Sequence, residues 1–503
     1  MLSRIHSAAL VGVDAVPVEV EVDVSFGLPA FAIAGLAATS EQDARERVRA
    51  AVKNSQGTVP ARRILVNLAP ADIRKEGAGF DLPIALGLLL ATGQLRPGAL
   101  DGTMAVGELS LDGRVRPTHG VLPVAMLARR LEVHRLLVPD ANATEAAAAG
   151  GAVVPVETLR EAVEMLEGRA AVRPVPAPPA AGREHHEVDF AEIKGQAHAR
   201  RALVVAAAGA HHLLLIGPPG AGKTMLARRL PTILPPLGPE EALEVTKIHS
   251  VAGLISPGVG LLSVRPFRAP HHTTSRHALV GGGSVPRPGE LSLAHHGVLF
   301  LDELPEFHRD ALEVLRQPLE EGVVTIARVQ TSVTLPARVM LAAAMNPCPC
   351  GYLGDARRPC ACTPPQVSRY RARISGPLLD RFDLQVEVPR LAPDEVAAAP
   401  AGEGSAALRA HVLAARTIQR RRFGRRRVAG NGRMSGRAMR RFCLLEPAAA
   451  QLLRAATDRL ALSARAYDRV LRVARTIADL DGVDGADGIT ARHVAEALQY
   501  RLP

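Results

Sequence analysis

The chain has 503 residues and a formal net charge of +11, a length that predicts roughly two to four domains with cores of their own. Its five cysteines, four of them clustered, exclude a secreted disulfide framework. No basic-then-apolar leader opens it and no apolar run approaches the ~18 residues of a membrane span, so a cytoplasmic protein with no membrane partner is expected. Arginine outnumbers lysine 56 to five. A GC-rich genome also produces that bias, so a nucleic-acid partner has to be argued from local clustering of charge.

Residues 1–168 read as one α/β unit. Val18–Val24 alternates apolar and charged residues, as a half-exposed strand does. Ser40–Lys53 has helical spacing, with Ser40 as cap and Glu41 in the first turn. Ile64–Leu68 reads as a strand, Asp81–Leu90 as a buried helix, and Val106–Val115 as a hairpin turning at Asp112-Gly113. The stretches KEGAGFDLPIALG (75–87) and GELSLDGRVRPTHGVLP (107–123) resemble Lon-type protease domains. Around Gly77–Asp81 no serine stands where that resemblance places the nucleophile. A Ser–Lys dyad has no candidate, and the unit reads as a non-proteolytic scaffold.

Residues 169–186 form a linker, Pro/Ala-rich without periodicity over Ala170–Gly182. Residues 187–395 carry the nucleotide chemistry. A loop with Gly195-Gln196 enters a helix, and His211–Ile216 is an apolar run suited to a buried parallel strand. Gly217, Pro218, Pro219, Gly220, Ala221, Gly222, Lys223 and Thr224 then fit the phosphate-loop pattern G-x-x-x-x-G-K-[ST], and Met225–Leu230 continues as a helix. Glycines at that spacing let backbone N–H groups turn around a polyphosphate; Lys223 reaches its β/γ-phosphates and the Thr224 hydroxyl ligates Mg²⁺.

About eighty residues later Gly297–Glu303 reads GVLFLDE. Asp302 at the strand end suits Mg²⁺ held through water, and Glu303 suits polarising the attacking water. The two elements together point to ATP or GTP hydrolysis. The pairs His271-His272 and His295-His296 leave metal ligation and packing with hydrogen bonds both open. Val323–Pro336 alternates as a β-hairpin and Val339–Asn346 as another buried strand. Cys348, Cys350, Cys360 and Cys362 form C-x-C…C-x-C with nine residues between the pairs. Four soft ligands in one loop suit a closed structural Zn²⁺; a free-thiol loop is the alternative. Cys443 sits alone in an apolar helix, as core.

Residues 396–503 read as a helical segment. Arg416–Arg441 packs eleven arginines into 26 residues with one interleaved phenylalanine, Phe423. Tracking of a nucleic-acid backbone fits that charge better than base stacking does, and a solvated face at a domain junction is the alternative. Leu462–Leu480 is a strongly periodic helix, and Pro447–Leu502 continues as amphipathic helix.

Arg265–Ser275 (RPFRAPHHTTS), Gly281–Gly283, Pro288–His296 (PGELSLAHH) and Gly297–Phe307 (GVLFLDELPEF) closely resemble the magnesium-chelatase-like AAA+ ATPases, within them the bacterial ComM/YifB group, and the likeness runs the length of the chain. It implies an AAA+ P-loop domain with a C-terminal helical lid, preceded by the Lon-like domain. It also implies a homo-hexameric ring using ATP and Mg²⁺ on branched or single-stranded DNA, as a helicase in branch migration during natural transformation or homologous recombination, with recombination proteins as partners. By the same resemblance Asn346 is sensor 1, Arg381 in ISGPLLDRF is an arginine finger acting on a neighbour, and Arg465 is sensor 2, with Arg469 one turn on as the fallback. A local ion pair of Arg381 with Asp380 or Asp383 is the competing reading. The hairpin would point into the ring pore with Arg328 and Gln330 near its tip, unless it is purely structural. The alternative function is the ATPase subunit of a magnesium-chelatase-type complex.

Overall fold

The computed structural model describes residues 1–73, 75, 77–175, 187–283, 286–327, 332–392, 394–395, 402–424, 430–483 and 488–501. In the front unit the alternating stretch becomes a long strand, Asp14–Ser25, that buries Val18, Val20, Val22 and Val24. It is central to a seven-stranded sheet ordered Ala30–Ala34, Arg63–Ala69, Asp14–Ser25, Leu2–Val11, Thr103–Ala105, Arg135–Pro139 and Val153–Val156. Pairing is antiparallel on both sides of Asp14–Ser25, and parallel from Leu2–Val11 through to Val153–Val156.

The helix Asp81–Ala91 lies against this sheet and buries every residue but Leu90, which is why its sequence is apolar all round. Its first residue is a buried carboxylate. Burial pushes Asp81 up to about 6, against the pull of Arg47, at 2.6 and 3.2 Å, and of the Leu109 N–H at 3.2 Å. The helix expected from a Ser40 cap begins earlier, spanning Ala38–Asn54 with Ala37 at its N-cap. Glu41 accepts the Ile33 N–H at 3.0 Å, so a tertiary contact to the edge strand sets the start and Ser40 caps nothing.

Residues 169–175 of the linker are tied to the front unit rather than spaced from it. Arg173 pairs with Asp140, Glu157 and Glu161 at 3.5, 2.7 and 2.9 Å. Most of the Pro/Ala-rich stretch, 176–186, lies outside the described residues.

The second sheet has five parallel strands in the spatial order Phe267–Arg268, Val298–Leu301, Met340–Met345, Leu213–Ile216 and Leu384–Glu387. Layers cover both faces, so the strands are apolar runs without alternation. Parallel strands carry their C-terminal ends to one edge. Gly217, Asp302 and Asn346, far apart in sequence, therefore leave the sheet together. The strand expected from His211 is confined to Leu213–Ile216. His211 and His212 are buried at the opposite edge as hydrogen-bonding groups, His211 against Asp383 (3.2 Å) and Thr476 (2.7 Å), His212 Nδ1 accepting the Leu341 N–H (2.9 Å).

The C-terminal helices Ser405–Phe423, Gly436–Phe442, Pro447–Arg459, Ala464–Leu480 and Ala491–Gln499 share one apolar core with this sheet. A buried polar knot pins them. Asp479 accepts from Arg422 at 2.5 and 2.9 Å, from Arg475 at 3.0 Å and from Asn431 at 2.7 Å. The front unit meets the second sheet through its first hairpin turn. Val13 is buried with Leu293, Val333 and Leu335, and Asp14 pairs with Lys247. Among the described residues no helix is long and apolar enough to cross a membrane.

Candidate nucleotide site

The turn from Leu213–Ile216 into the helix Lys223–Ile233 is possible because Gly220 and Gly222 take φ values of +77° and +90°, backbone that a side chain disfavours. Lys223 Nζ lies buried in the loop, donating to the carbonyls of Gly217 (2.6 Å) and Pro218 (2.9 Å) and to Asn346 Oδ1 (3.1 Å). Burial lowers its pKa, against the field of Asp302 and Glu303. Thr224 Oγ1 donates to Asp302 Oδ2 at 2.6 Å, so hydroxyl and carboxylate stand within reach of one cation. That arrangement fits Mg²⁺ with a polyphosphate: backbone turned inward, one lysine, and a hydroxyl–carboxylate pair at the helix N-terminus. Gln196, on the approach to the loop, donates to Pro389 O at 2.6 Å and Ala221 O at 3.4 Å.

Glu303 follows Asp302 with φ at +52°, left-handed backbone rarely adopted by a glutamate, and its N–H donates to Asp302 Oδ1 at 2.9 Å. This turn aims the two carboxylates differently. Asp302 faces Thr224, while Glu303 Oε2 lies 3.3 Å from His272 Nδ1. Sequence reasoning gave His272 no such role, since thirty residues of chain separate the pair. Its neighbour His271 hydrogen-bonds Thr273 at 3.0 Å. Asn346 reaches Lys223 because its strand lies between those of Gly217 and Asp302. Beyond Asn346 the four cysteines come together, their sulfurs all within 4.8 Å of one another.

His295 and His296 behave otherwise than a metal site. His295 Nδ1 accepts the Arg338 N–H at 2.9 Å, which leaves the ring proton on Nε2, donated to Glu244 at 3.0 Å. A metal on that nitrogen would need the proton on Nδ1, facing another donor. The cluster is a hydrogen-bonded knot: the His295 and His296 N–H groups, against the cost of burial, hold the Glu244 carboxyl down at about 2. It borders a cavity of about 380 Å³ at the edge where the strands begin, lined among others by Glu241, Arg265, Arg338 and Arg416.

Arg381 lies at that same edge, away from the chain's own phosphate loop. The Asp383 N–H two residues on bonds the carbonyl of His212, just before the phosphate-loop strand. Arg381 pairs with Glu320 at 2.5 Å, and not with Asp380 or Asp383. Arg469 is buried and meets Asp380 at 3.4 Å; Arg465 is exposed, one turn earlier. Among the described residues neither arginine pairs with Asp302 or Glu303, whose partners are Thr224 and His272. The hairpin is formed by Val323–Ala327 and Ser332–Pro336, while Arg328 and Gln330 lie outside the described residues.

The arginine-dense stretch divides by function. Arg416 donates to Ala207 O at 2.9 and 3.2 Å, and burial pushes it down to about 9. Arg422 belongs to the Asp479 knot, and Arg433 donates to the carbonyls of Leu319 (2.7 Å) and Val339 (3.0 Å). These three hold the fold. Arg420, Arg421, Arg437, Arg440 and Arg441 are exposed, and 425–427 lie outside the described residues.

Comparison with known proteins covers nearly the whole chain. Residues 189–396 match the family model described as magnesium chelatase, subunit ChlI; residues 20–142 match subunit ChlI of Mg-chelatase; residues 402–501 match its C-terminal region. The chain is 45% identical over 509 residues to the competence protein ComM of Haemophilus influenzae, covering 99% of this chain and 97% of that one. It is 44% identical over 504 residues to the uncharacterized protein YifB of Escherichia coli, with 99% and 97% covered. An uncharacterized protein of Mycobacterium tuberculosis is 44% identical over 509 residues, with 99% and 98% covered.

Proposed function

The chain belongs to the ComM/YifB group of magnesium-chelatase-like AAA+ ATPases, and from that footing we propose that it is a ring-forming motor that moves DNA strands, migrating branches in recombination intermediates during natural transformation or recombination. Membership makes it an ATPase using ATP and Mg²⁺. A cytoplasmic location, a Lon-type non-proteolytic front scaffold and a structural Zn²⁺ at the four cysteines belong to the same reading.

The observation that carries the ring is the position of Arg381 at one edge of a sheet whose other edge bears Lys223, Asp302 and Glu303. Such an arginine serves a γ-phosphate only across a subunit boundary. Lys223 and the loop N–H groups orient the polyphosphate, and Glu303, steadied by His272, takes a proton from the attacking water. Thr224 and Asp302 would hold Mg²⁺, which when bound would neutralise charge on the phosphate oxygens. Arg381 of the next subunit, released from Glu320, stabilises charge as the bond breaks. In this reading Arg465, with Arg469 one turn on as the fallback, acts on that neighbour's nucleotide too.

DNA as the substrate is supported by the five exposed arginines on the lid, and a role in competence by the name of the Haemophilus relative, a competence protein. The names of the family models favour a second reading, the ATPase subunit of a chelatase-type complex. Steady-state ATPase rates with and without branched, single-stranded and duplex DNA separate the two. Stimulation by DNA supports the motor. A rate indifferent to all three forms supports the chelatase reading.

A further inference from the structure

ATP hydrolysis leaves one cluster of nucleophilic side chains unused. Cys348 and Cys350 follow Asn346 directly, and Cys360 and Cys362 return to them across a loop in which Asp355 accepts the N–H groups of Arg357 (2.7 Å) and Arg358 (3.1 Å). The Sγ atoms of Cys348 and Cys350 are 3.4 Å apart, those of Cys348 and Cys360 3.7 Å, and those of Cys350 and Cys360 3.5 Å. Four thiolates about 2.3 Å from a single metal stand about 3.8 Å apart in a regular tetrahedron. The spacing suits one tetrahedral ion and is too tight for a cluster of several irons. Backbone also turns toward the sulfurs, the Cys350 N–H to Cys362 Sγ at 3.3 Å and the Cys362 N–H to Cys360 Sγ at 3.4 Å, an outer shell that favours thiolate.

The same loop leans on the phosphate loop. Gly351 has φ +86° and sits so close to Pro219 that a Cβ would fall 2.6 Å from its Cδ. Three residues before Gly351 the chain is Cys348, and two residues before that is Asn346, which holds Lys223. On the far side Cys362 leads into the helix Pro364–Arg371, capped by Thr363, whose Arg371 donates back to Pro347 O at 3.4 Å. Pro219, Asn346 and this helix thus converge on one small loop.

We propose that Cys348, Cys350, Cys360 and Cys362 bind one Zn²⁺, and that the ion braces the phosphate loop through the Gly351–Pro219 contact, so that its occupancy sets the affinity for nucleotide. This rests on the reading of Gly217–Thr224 as the nucleotide site.

The full-length chain, purified under reducing conditions, is analysed for metal, and its affinity for a fluorescent ATP analogue is measured before stripping by a thiol mercurial with a chelator, after it, and after return of Zn²⁺ alone. One zinc per chain is expected, with a Kd at least about tenfold weaker on stripping and recovered with zinc. Gly351→Ala, which keeps all four cysteines, is expected to retain full zinc and still bind nucleotide more weakly. Absence of zinc from the reduced protein overturns the proposal, as does an unchanged Kd after zinc loss. Should stripping unfold the chain, as circular dichroism would report, Gly351→Ala decides: full zinc with the parent Kd overturns the coupling. Parent protein that holds zinc but binds no nucleotide contradicts the ATPase reading instead, and leaves the metal site standing.

Discussion

Arg381→Ala, alone and mixed with Lys223→Ala, tests the subunit boundary. The Asp383 and Leu384 N–H groups both bond His212 O, at 3.0 and 3.1 Å, which fixes Arg381 near the start of the phosphate-loop strand. The loop begins five residues later at Gly217, and at a strand rise of about 3.3 Å per residue that is about 16 Å away, more than an arginine side chain spans. Its resting partner does little to hold it. Glu320 is 63% exposed and Arg381 25%, so the pair is worth about 0–1 kcal/mol. An arginine donated in trans contributes roughly 10³–10⁵ in rate, or about 4–7 kcal/mol of barrier. Phosphate release by Arg381→Ala should fall by that factor while ATP still binds. Arg381→Lys should recover little of it, because a point charge lacks the planar fork. In a mixture of Arg381→Ala and Lys223→Ala, random assembly joins an intact phosphate loop to an intact arginine at about one interface in four, so activity should return well above either variant alone. Parent-like turnover by Arg381→Ala, or a mixture no more active than its components, would refute the reasoning.

Glu303→Gln should keep ATP affinity within a few-fold while turnover drops by about 10²–10⁴, read by equilibrium binding beside phosphate release. His272→Ala should lower kcat more than it raises KM, because it frees the carboxylate without touching the phosphates; a change in KM alone would contradict that role. Replacing Arg420, Arg421, Arg437, Arg440 and Arg441 by alanine should flatten the salt dependence of DNA binding by up to about four to five in log–log slope. Asp479→Ala should lower the denaturation midpoint by the equivalent of about 3–5 kcal/mol, since Arg422 and Arg475 would be left buried without their carboxylate.

The phosphate loop and the strand ending in Asp302 were legible because their chemistry demands fixed residue types at short spacing, and the buried parallel strands because both faces are covered and the runs stay apolar. Contacts made by topology were not legible. The His272–Glu303 pair, the Arg381–Glu320 pair and the seat of Gly351 on Pro219 each join stretches that no periodicity links. The arginine-dense stretch reads as one patch of charge, yet Arg416, Arg422 and Arg433 turn inward to carbonyls and to Asp479, because helix ends packed on the sheet leave carbonyls that need donors. Local capping failed where tertiary contact won, as at Ala37 and Glu41. The seat of the helix Ala464–Leu480 is likewise set by tertiary contacts, Thr476 on His211 and Arg469 on Asp380.

The central claim is that hydrolysis at this site moves DNA, and the direct measurement is branch migration of a labelled four-way junction by the full-length chain with ATP and Mg²⁺, beside Glu303→Gln as control. The account predicts ATP-dependent conversion of the junction by the parent protein and none by Glu303→Gln at equal DNA occupancy. Steady ATP hydrolysis by the parent on a bound junction whose branch does not move would contradict it.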